Sequence, residues 1–287
     1  MILPPIKALG TMWHIEVFDA VCNQEKLHTD CTKWLCEYEA RYSRFLAHSW
    51  LSTLNKEKAF HSPDQQFIDL LQQSLEYYEK TNGIFNIAIG EKLVNAGYDA
   101  TYSFTSGKQE IVVPELPKVL TVTNKKITLS GGQLDLGGIG KGYAIDALAN
   151  YLQAEHGLSY FLINGGGDMY ATSDNEQPIK IELAHPHDNT LSIGNLELHN
   201  SGFASSSPNL RAWLDSKTGV TQNHLLTAGQ KTSYIVSSSA TEADVWATTL
   251  CLDQAVQLPK HVRALVLDKT TINLHDRIFN VYSKPKM

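Results

Sequence analysis

Hydrophobic and polar residues alternate over residues 11–18. Trp13, Ile15 and Val17 fall on one side and Met12, His14 and Glu16 on the other, which predicts a half-buried strand. The period then changes. Leu27, Cys31, Trp34, Leu35, Tyr38 and Tyr42 recur at helical spacing and predict an amphipathic helix over 24–42. A second helix is expected to start at Ser62 as N-cap, with Pro63 in its first turn. Phe67, Leu70, Leu71 and Leu75 form its stripe, and Gly83 lies just past its end. Both stripes read as core. The middle of the chain is rich in loops, with short strands expected at 119–122 and 126–129. A helix over 141–155 stopped at Gly157 comes next, then a buried strand over 160–163 that runs into Asn164-Gly165-Gly166-Gly167. Strands at 179–183 and 191–198, a helix over 241–252 and a strand at 264–267 complete the pattern. Strands and helices interspersed without regular βαβ alternation predict an α+β fold, with mixed or antiparallel sheets.

Composition narrows the function classes. A chain of 287 residues exceeds the usual single-domain length of roughly 100–200, so one large domain or two packed lobes is expected. With 43% hydrophobic and 19% charged residues it can form a substantial core. Lys and Arg total 24 against 30 Asp and Glu, a net charge of −6, which argues against coating nucleic acid or an anionic membrane. No apolar run approaches the roughly 20 residues of a membrane span. The first residues lack the features of a secretory signal, so a cytoplasmic location is expected. Cys22, Cys31, Cys36 and Cys251 have neither zinc-site nor disulfide-framework spacing and are expected to be reduced, mostly buried thiols.

Two segments carry candidate chemistry. In Leu134-Asp135-Leu136-Gly137-Gly138-Ile139-Gly140-Lys141-Gly142-Tyr143-Ala144-Ile145-Asp146, a glycine-rich turn enters a helix. Backbone groups there can approach a phosphate closely, and Lys141 adds a point charge. The segment is neither a dinucleotide fingerprint nor a P-loop, because Gly142 stands where a P-loop needs Ser or Thr. In Glu242-Ala243-Asp244-Val245-Trp246-Ala247-Thr248, Asp244 and Thr248 stand at i and i+4 on one helix face. Together they can offer two hard oxygen ligands to Mg²⁺. His185 and His187 also resemble a ligand pair, but Pro186 between them favours an extended loop.

Taken in order, these segments resemble the ApbE family, the FAD:protein FMN transferases. The resemblance starts at Leu9-Gly10-Thr11, Ser43-Arg44-Phe45, Ser49-Trp50-Leu51-Ser52-Thr53-Leu54-Asn55 and Thr81-Asn82-Gly83-Ile84-Phe85-Asn86. It continues through residues 135–146, Leu162-Ile163-Asn164-Gly165-Gly166-Gly167-Asp168, Ser201-Gly202, His224 and the stretch from Asp244 to Thr248. The resemblance implies two packed lobes with a flavin site between them, within a single domain over 1–287. It also implies FAD as substrate and Mg²⁺ held by Asp244, Thr248 and the Gly138 carbonyl. Its flavin contacts correspond to Leu9, Phe45, Ile84, Phe85, Asn86, Asp135, Lys141 and Leu226. Phe45 suits stacking on a planar ring, although its place at the end of a helical stripe also fits core packing.

The expected reaction moves FMN from FAD onto a Thr or Ser hydroxyl of a target flavoprotein and releases AMP. Asp244 acts through the metal, and His224 takes or orients the proton of the attacking hydroxyl. The alternatives are hydrolysis of FAD to FMN and AMP, or FAD binding without turnover. Three departures from the family pattern bear on that choice. Asn86 replaces the usual Asp. Leu225-Leu226-Thr227-Ala228-Gly229-Gln230 replaces the usual I-I-D-P-x-T-G, in a shortened stretch before Asp244. The lipoprotein leader typical of many members is missing, pointing to a cytoplasmic branch or a processed chain.

Overall fold

Trp13, Ile15 and Val17 are all buried in a strand, and the helix over 24–42 runs between the residues its periodicity predicts. The computed structural model describes residues 1–173, 177–186, 188, 190–209, 211–227, 229, 231–267, 272–274 and 279–285. In chain order come β1 (Ile6–Ala8), β2 (Thr11–Val17), α1 (Gln24–Tyr42), α2 (Trp50–Glu57), β3 (Ala59–His61), α3 (Gln65–Lys80), α4 (Gly90–Asn95) and α5 (Leu116–Val119). Then follow β4 (Leu120–Val122), β5 (Lys126–Leu129), α6 (Gly140–His156), β6 (Tyr160–Gly165), β7 (Asp168–Ser173), β8 (Ile179–Ala184), β9 (Leu191–Leu198) and β10 (Ser201–Ser206). The last are β11 (Ala212–Leu214), β12 (Thr221–Asn223), β13 (Thr232–Ser237), α7 (Ala240–Leu252), β14 (Arg263–Leu267), β15 (Ile272–Leu274) and β16 (Asn280–Pro285). The α+β expectation holds, and every pair of named strands is antiparallel.

The chain forms two compact units, Met1–Cys36, Lys141–Leu210 and Gly229–Met287 in the first, Glu37–Gly140 and Arg211–Ala228 in the second. The first is layered around an eight-stranded sheet of order β1-β2-β6-β7-β10-β13-β14-β15. Successive side chains in a strand face opposite ways. Phe203, Tyr234, Val236 and Leu265 therefore pack on one side against Ile181, Leu183, Ile193 and Leu196 of the sheet β16-β9-β8. Ala204, Ile235, Ala264 and Val266 face the other way, onto Ala243, Trp246, Ala247 and Leu250 of α7. Fully burying side chains of this size contributes about 1.5–3 kcal/mol each.

In the second unit Tyr42, Trp50, Phe60 and Phe67 form an aromatic core, with ring centroids 5.3–6.1 Å apart. The strands β3, β5 and β4 make its sheet, and β11 pairs with β12. The N-cap of α3 differs from expectation. Asp64 accepts from the Phe67 amide at 2.8 Å, whereas Ser62 sits at φ +52° outside the helix. A carboxylate one residue after Pro63 reaches the free amides of the first turn, and Ser62 cannot from a left-handed backbone. The thiols also divide differently: Cys31 and Cys251 are buried, but Cys22 and Cys36 are exposed.

Candidate active site

The first unit gathers three charges at the start of α6. Lys141 projects its ammonium onto a carboxylate oxygen of Asp168 and lies 3.7 Å from Asp244 Oδ2. Both carboxylates are buried, at 2% and 5% exposure, where an unpaired charge would cost several kcal/mol. The β6–β7 turn explains how Asp168 reaches this point. Gly166 and Gly167 take φ of +74° and +106°, a region that favours glycine, and Asn164 Oδ1 accepts from the Gly167 amide at 2.8 Å. Asp168 then opens β7 and also accepts from the Ser205 amide at 3.3 Å.

Asp244 sits in the second turn of α7 and accepts from the Gly142 amide at 3.1 Å. That approach requires Gly142 to lack a side chain: a Cβ there would lie 2.4 Å from the Ala240 carbonyl oxygen. Gly202 serves the opposite side in the same way, since its Cβ would lie 2.2 Å from the Ala240 amide nitrogen. Asp146, one turn further along α6, accepts from the amides of Ala240 and Thr241, both at 2.8 Å, and from the Thr241 hydroxyl at 2.5 Å. Burial pushes the Asp146 carboxyl above its ordinary range, and the Thr241 contacts partly offset that. The N-terminus of α7 is thus clamped on α6, with Thr248 half-buried one turn beyond Asp244 on the same face.

This donor set fits a hard divalent cation. A buried carboxylate and, one turn on, a half-buried hydroxyl are hard oxygen donors of the kind such a cation takes. Among the described residues no group of three or more His, Cys, Asp or Glu side chains is disposed to hold a metal. Leu9 lies in the two-residue turn between β1 and β2 at φ +52°, followed by Gly10 at +69°. A leucine in the left-handed region is strained, and such strain concentrates at functional positions.

The second unit holds the remaining expected residues. Arg44 pairs with Asp135, donates from Nη2 to the Tyr98 carbonyl at 2.8 Å, and lies 4.2 Å from the Phe45 ring centroid. Asp135 also accepts from the Gly137 amide at 2.7 Å, shaping the turn that contains Gly138. Asn55 holds the preceding backbone by donating to the Leu134 carbonyl at 2.9 Å and accepting from its amide at 2.7 Å. Phe45 stacks on Tyr102 at 5.3 Å and meets Tyr98 edge-on, and Tyr98 stacks on Trp213. Leu226, at φ +52°, packs on this aromatic cluster together with Phe45 and Phe104. Ile84 is half-buried and Phe85 buried, its amide donating to the Thr81 hydroxyl at 3.1 Å.

The departures from the family pattern acquire physical reasons here. Asn86 donates to the Pro114 carbonyl and accepts from the Ala88 amide, both at 2.9 Å, a pair of roles no carboxylate can fill. After His224 the turn is folded by Asn223, which accepts from the Leu225 amide at 3.0 Å and donates to the Thr227 carbonyl at 2.7 Å. His224 Nδ1 lies 3.4 Å from the Arg211 carbonyl oxygen. His187 lies outside the described residues. Arg44 and Asp146 stand in the sequence motifs without an assigned role, and Trp213 is not marked out there. Asp168 was visible only as the end of a glycine loop.

The chain is similar to known proteins over most of its length. The ApbE family model matches residues 9–268. An FAD:protein FMN transferase of Buchnera aphidicola is 26% identical over 277 residues, covering 86% of this chain and 78% of its own. That of Escherichia coli K12 is 25% identical over 282 residues, covering 85% and 76%. The crystal structure of the ApbE protein of Thermotoga maritima superposes with a TM-score of 0.78 at 19% identity, covering 94% of this chain and 96% of its own. Flavin transferase ApbE of Vibrio cholerae gives 0.70 at 19% identity, covering 99% and 97%. The fold is thus the α+β fold of flavin transferase structures. The chain belongs to the ApbE family.

Proposed function

We propose that this chain is a Mg²⁺-dependent FAD:protein FMN transferase. The observation that carries the reading is the convergence of part-buried Lys141 with the buried carboxylates of Asp168 and Asp244, all within the family-matched segment. Asp244 and Thr248 are the proposed side-chain ligands of Mg²⁺ and Gly138 the proposed carbonyl ligand. Bound there, the ion would neutralise charge developing on the phosphate oxygens of FAD. Lys141 contributes positive charge toward the same phosphates.

Phe45, Leu226, Ile84 and Leu9 are the proposed apolar contacts of the flavin nucleotide. Asn86, Asp135 and Phe85 have side chains engaged internally, so their proposed contribution runs through the loops they hold. A Thr or Ser hydroxyl of the acceptor flavoprotein attacks the FMN phosphorus. Its oxygen forms the new P–O bond, the bond to AMP breaks, AMP leaves with the electron pair, and His224 accepts or orients the hydroxyl proton.

The test is release of AMP from FAD, followed by chromatography with Mg²⁺ present or chelated. The proposal expects AMP only with Mg²⁺ and acceptor, and a loss of at least about 100-fold in Asp244→Ala, in line with removal of a principal charge-stabilising group. Equal AMP release without acceptor would identify hydrolysis instead. No AMP under any condition, with FAD tightly bound, would identify a binding protein.

A further inference from the structure

The aromatic cluster of the second unit has one ring turned outward. Tyr98 and Trp213 are 9% and 6% exposed and stack on each other at 5.3 Å, and Phe45 and Phe104 are half-buried. Tyr102 is 45% exposed. Its ring lies 5.3 Å from that of Phe45 at an angle of 11°, and 5.7 and 5.9 Å from those of Tyr98 and Phe104. The Phe45 ring is more fully engaged, with Arg44 4.2 Å from its centroid and Tyr98 edge-on at 5.5 Å. A planar molecule that joins this cluster therefore meets Tyr102. The loop holds that ring in place. Tyr102 and Phe104 take φ of +52° and +48°, a region that bulky side chains rarely enter. Asp99 Oδ1 accepts from the amides of Thr101 and Ser103 at 2.9 and 3.1 Å and from the Thr101 hydroxyl at 2.8 Å. The Phe104 amide donates to the Gly97 carbonyl at 2.9 Å. Gly97 lets the loop close, since a Cβ there would lie 2.4 Å from the Thr105 amide nitrogen. Backbone strain fixed by its surroundings in this way concentrates at ligand clamps.

We propose that Tyr102 is a flavin-binding residue: its exposed ring stacks on the isoalloxazine of FAD, with Phe45 stacked behind it. This inference rests on the FAD reading proposed above. Tyr102 touches Phe45, one of the proposed flavin contacts, and Leu226, another, packs on the same cluster. A phenol ring is electron-rich and isoalloxazine electron-poor, so the two suit an offset stack. Such a stack adds a ring to the cluster and leaves the Tyr102–Phe45 pair intact. Tyrosine also gives the contact a spectroscopic mark. A phenol touching excited isoalloxazine quenches its emission by transient electron donation, and the phenyl ring of phenylalanine does not.

The experiment titrates the full-length parent, Tyr102→Phe and Tyr102→Ala with FAD, Mg²⁺ being chelated to prevent turnover, and separately with AMP. Calorimetry gives the affinities, and the emission of bound FAD is read in each. Expected is FAD affinity about tenfold weaker in Tyr102→Ala and within about threefold of the parent in Tyr102→Phe, with AMP affinity unchanged in both. Bound FAD should be brighter in Tyr102→Phe than in the parent. That emission decides even if Tyr102→Ala does not fold: an increase supports the inference, and parental quenching overturns it. Parental FAD affinity in Tyr102→Ala overturns this inference alone. Tighter FAD binding there also overturns it, by making Tyr102 a cover that the flavin displaces. A matching loss of AMP affinity overturns it by assigning the ring to adenine. A parent that binds no FAD, with Mg²⁺ chelated or present, overturns the flavin reading beneath it as well.

Discussion

Asn86 shows how one atom decides a residue's part. Its amide donates to a carbonyl and its oxygen accepts from an amide. Asn86→Asp would restore the residue usual in the family but set a carboxylate against the Pro114 carbonyl. Expected is a loss of about 1–3 kcal/mol in denaturant unfolding with no gain in turnover, and a stabilised variant would contradict this. Asp215 makes a pH-dependent case. The Ser106 hydroxyl and the amides of Thr218, Lys217 and Ser106 hold its carboxyl down from 3.8 to about 2. A depressed folded value means that its stabilisation is complete above 3.8 and lost as pH falls through about 2. Asp215→Asn should therefore lower the melting temperature at pH 7 and change it little near pH 2. An equal drop at both would deny the ionic contribution. At this scale the sequence shows Asp244 and Thr248 through their helical spacing. It does not show Arg44 with Asp135, partners 91 residues apart.

Among elements, the join between α6 and α7 is the most constrained. Gly142→Ala would drive a methyl to 2.4 Å from the Ala240 carbonyl oxygen, so backbone must move. Gly157 ends α6 at φ +62° with open space around it. Thermal unfolding should show Gly142→Ala losing more than about 3 kcal/mol by overpacking and Gly157→Ala about 1 kcal/mol by backbone strain. Comparable losses would mean that α7 does not rest on α6 as described. The four long helices were legible because each carries apolar spacing or clear punctuation, as with Gly83 after α3 and Gly157 after α6. Of the three-residue strands, β1, β3, β11, β12 and β15 are too short to express a period, whereas β4 falls within the strand expected at 119–122. β10, Ser-Gly-Phe-Ala-Ser-Ser, lies in the middle of the large sheet with little apolar signal. Helix α2 is capped by Ser49 but spans only eight residues, too few for a stripe to stand out.

For the whole molecule, chain order hides the architecture most. Each unit is assembled from separated segments, so the residues that share a site are far apart in sequence. The order of motifs nevertheless carried the resemblance, because family membership spans residues 9–268. No helix among the described residues is long and apolar enough to cross a membrane. The central claim is transfer onto protein. It is tested most directly by incubating the chain with FAD, Mg²⁺ and a flavoprotein acceptor domain, then reading covalent flavin by in-gel fluorescence and intact mass. The account predicts an FMN adduct on one Thr or Ser of the acceptor, absent when that hydroxyl is removed, when Mg²⁺ is chelated, or with Asp244→Ala. An unlabelled acceptor with the parent, or equal labelling by Asp244→Ala, would contradict it.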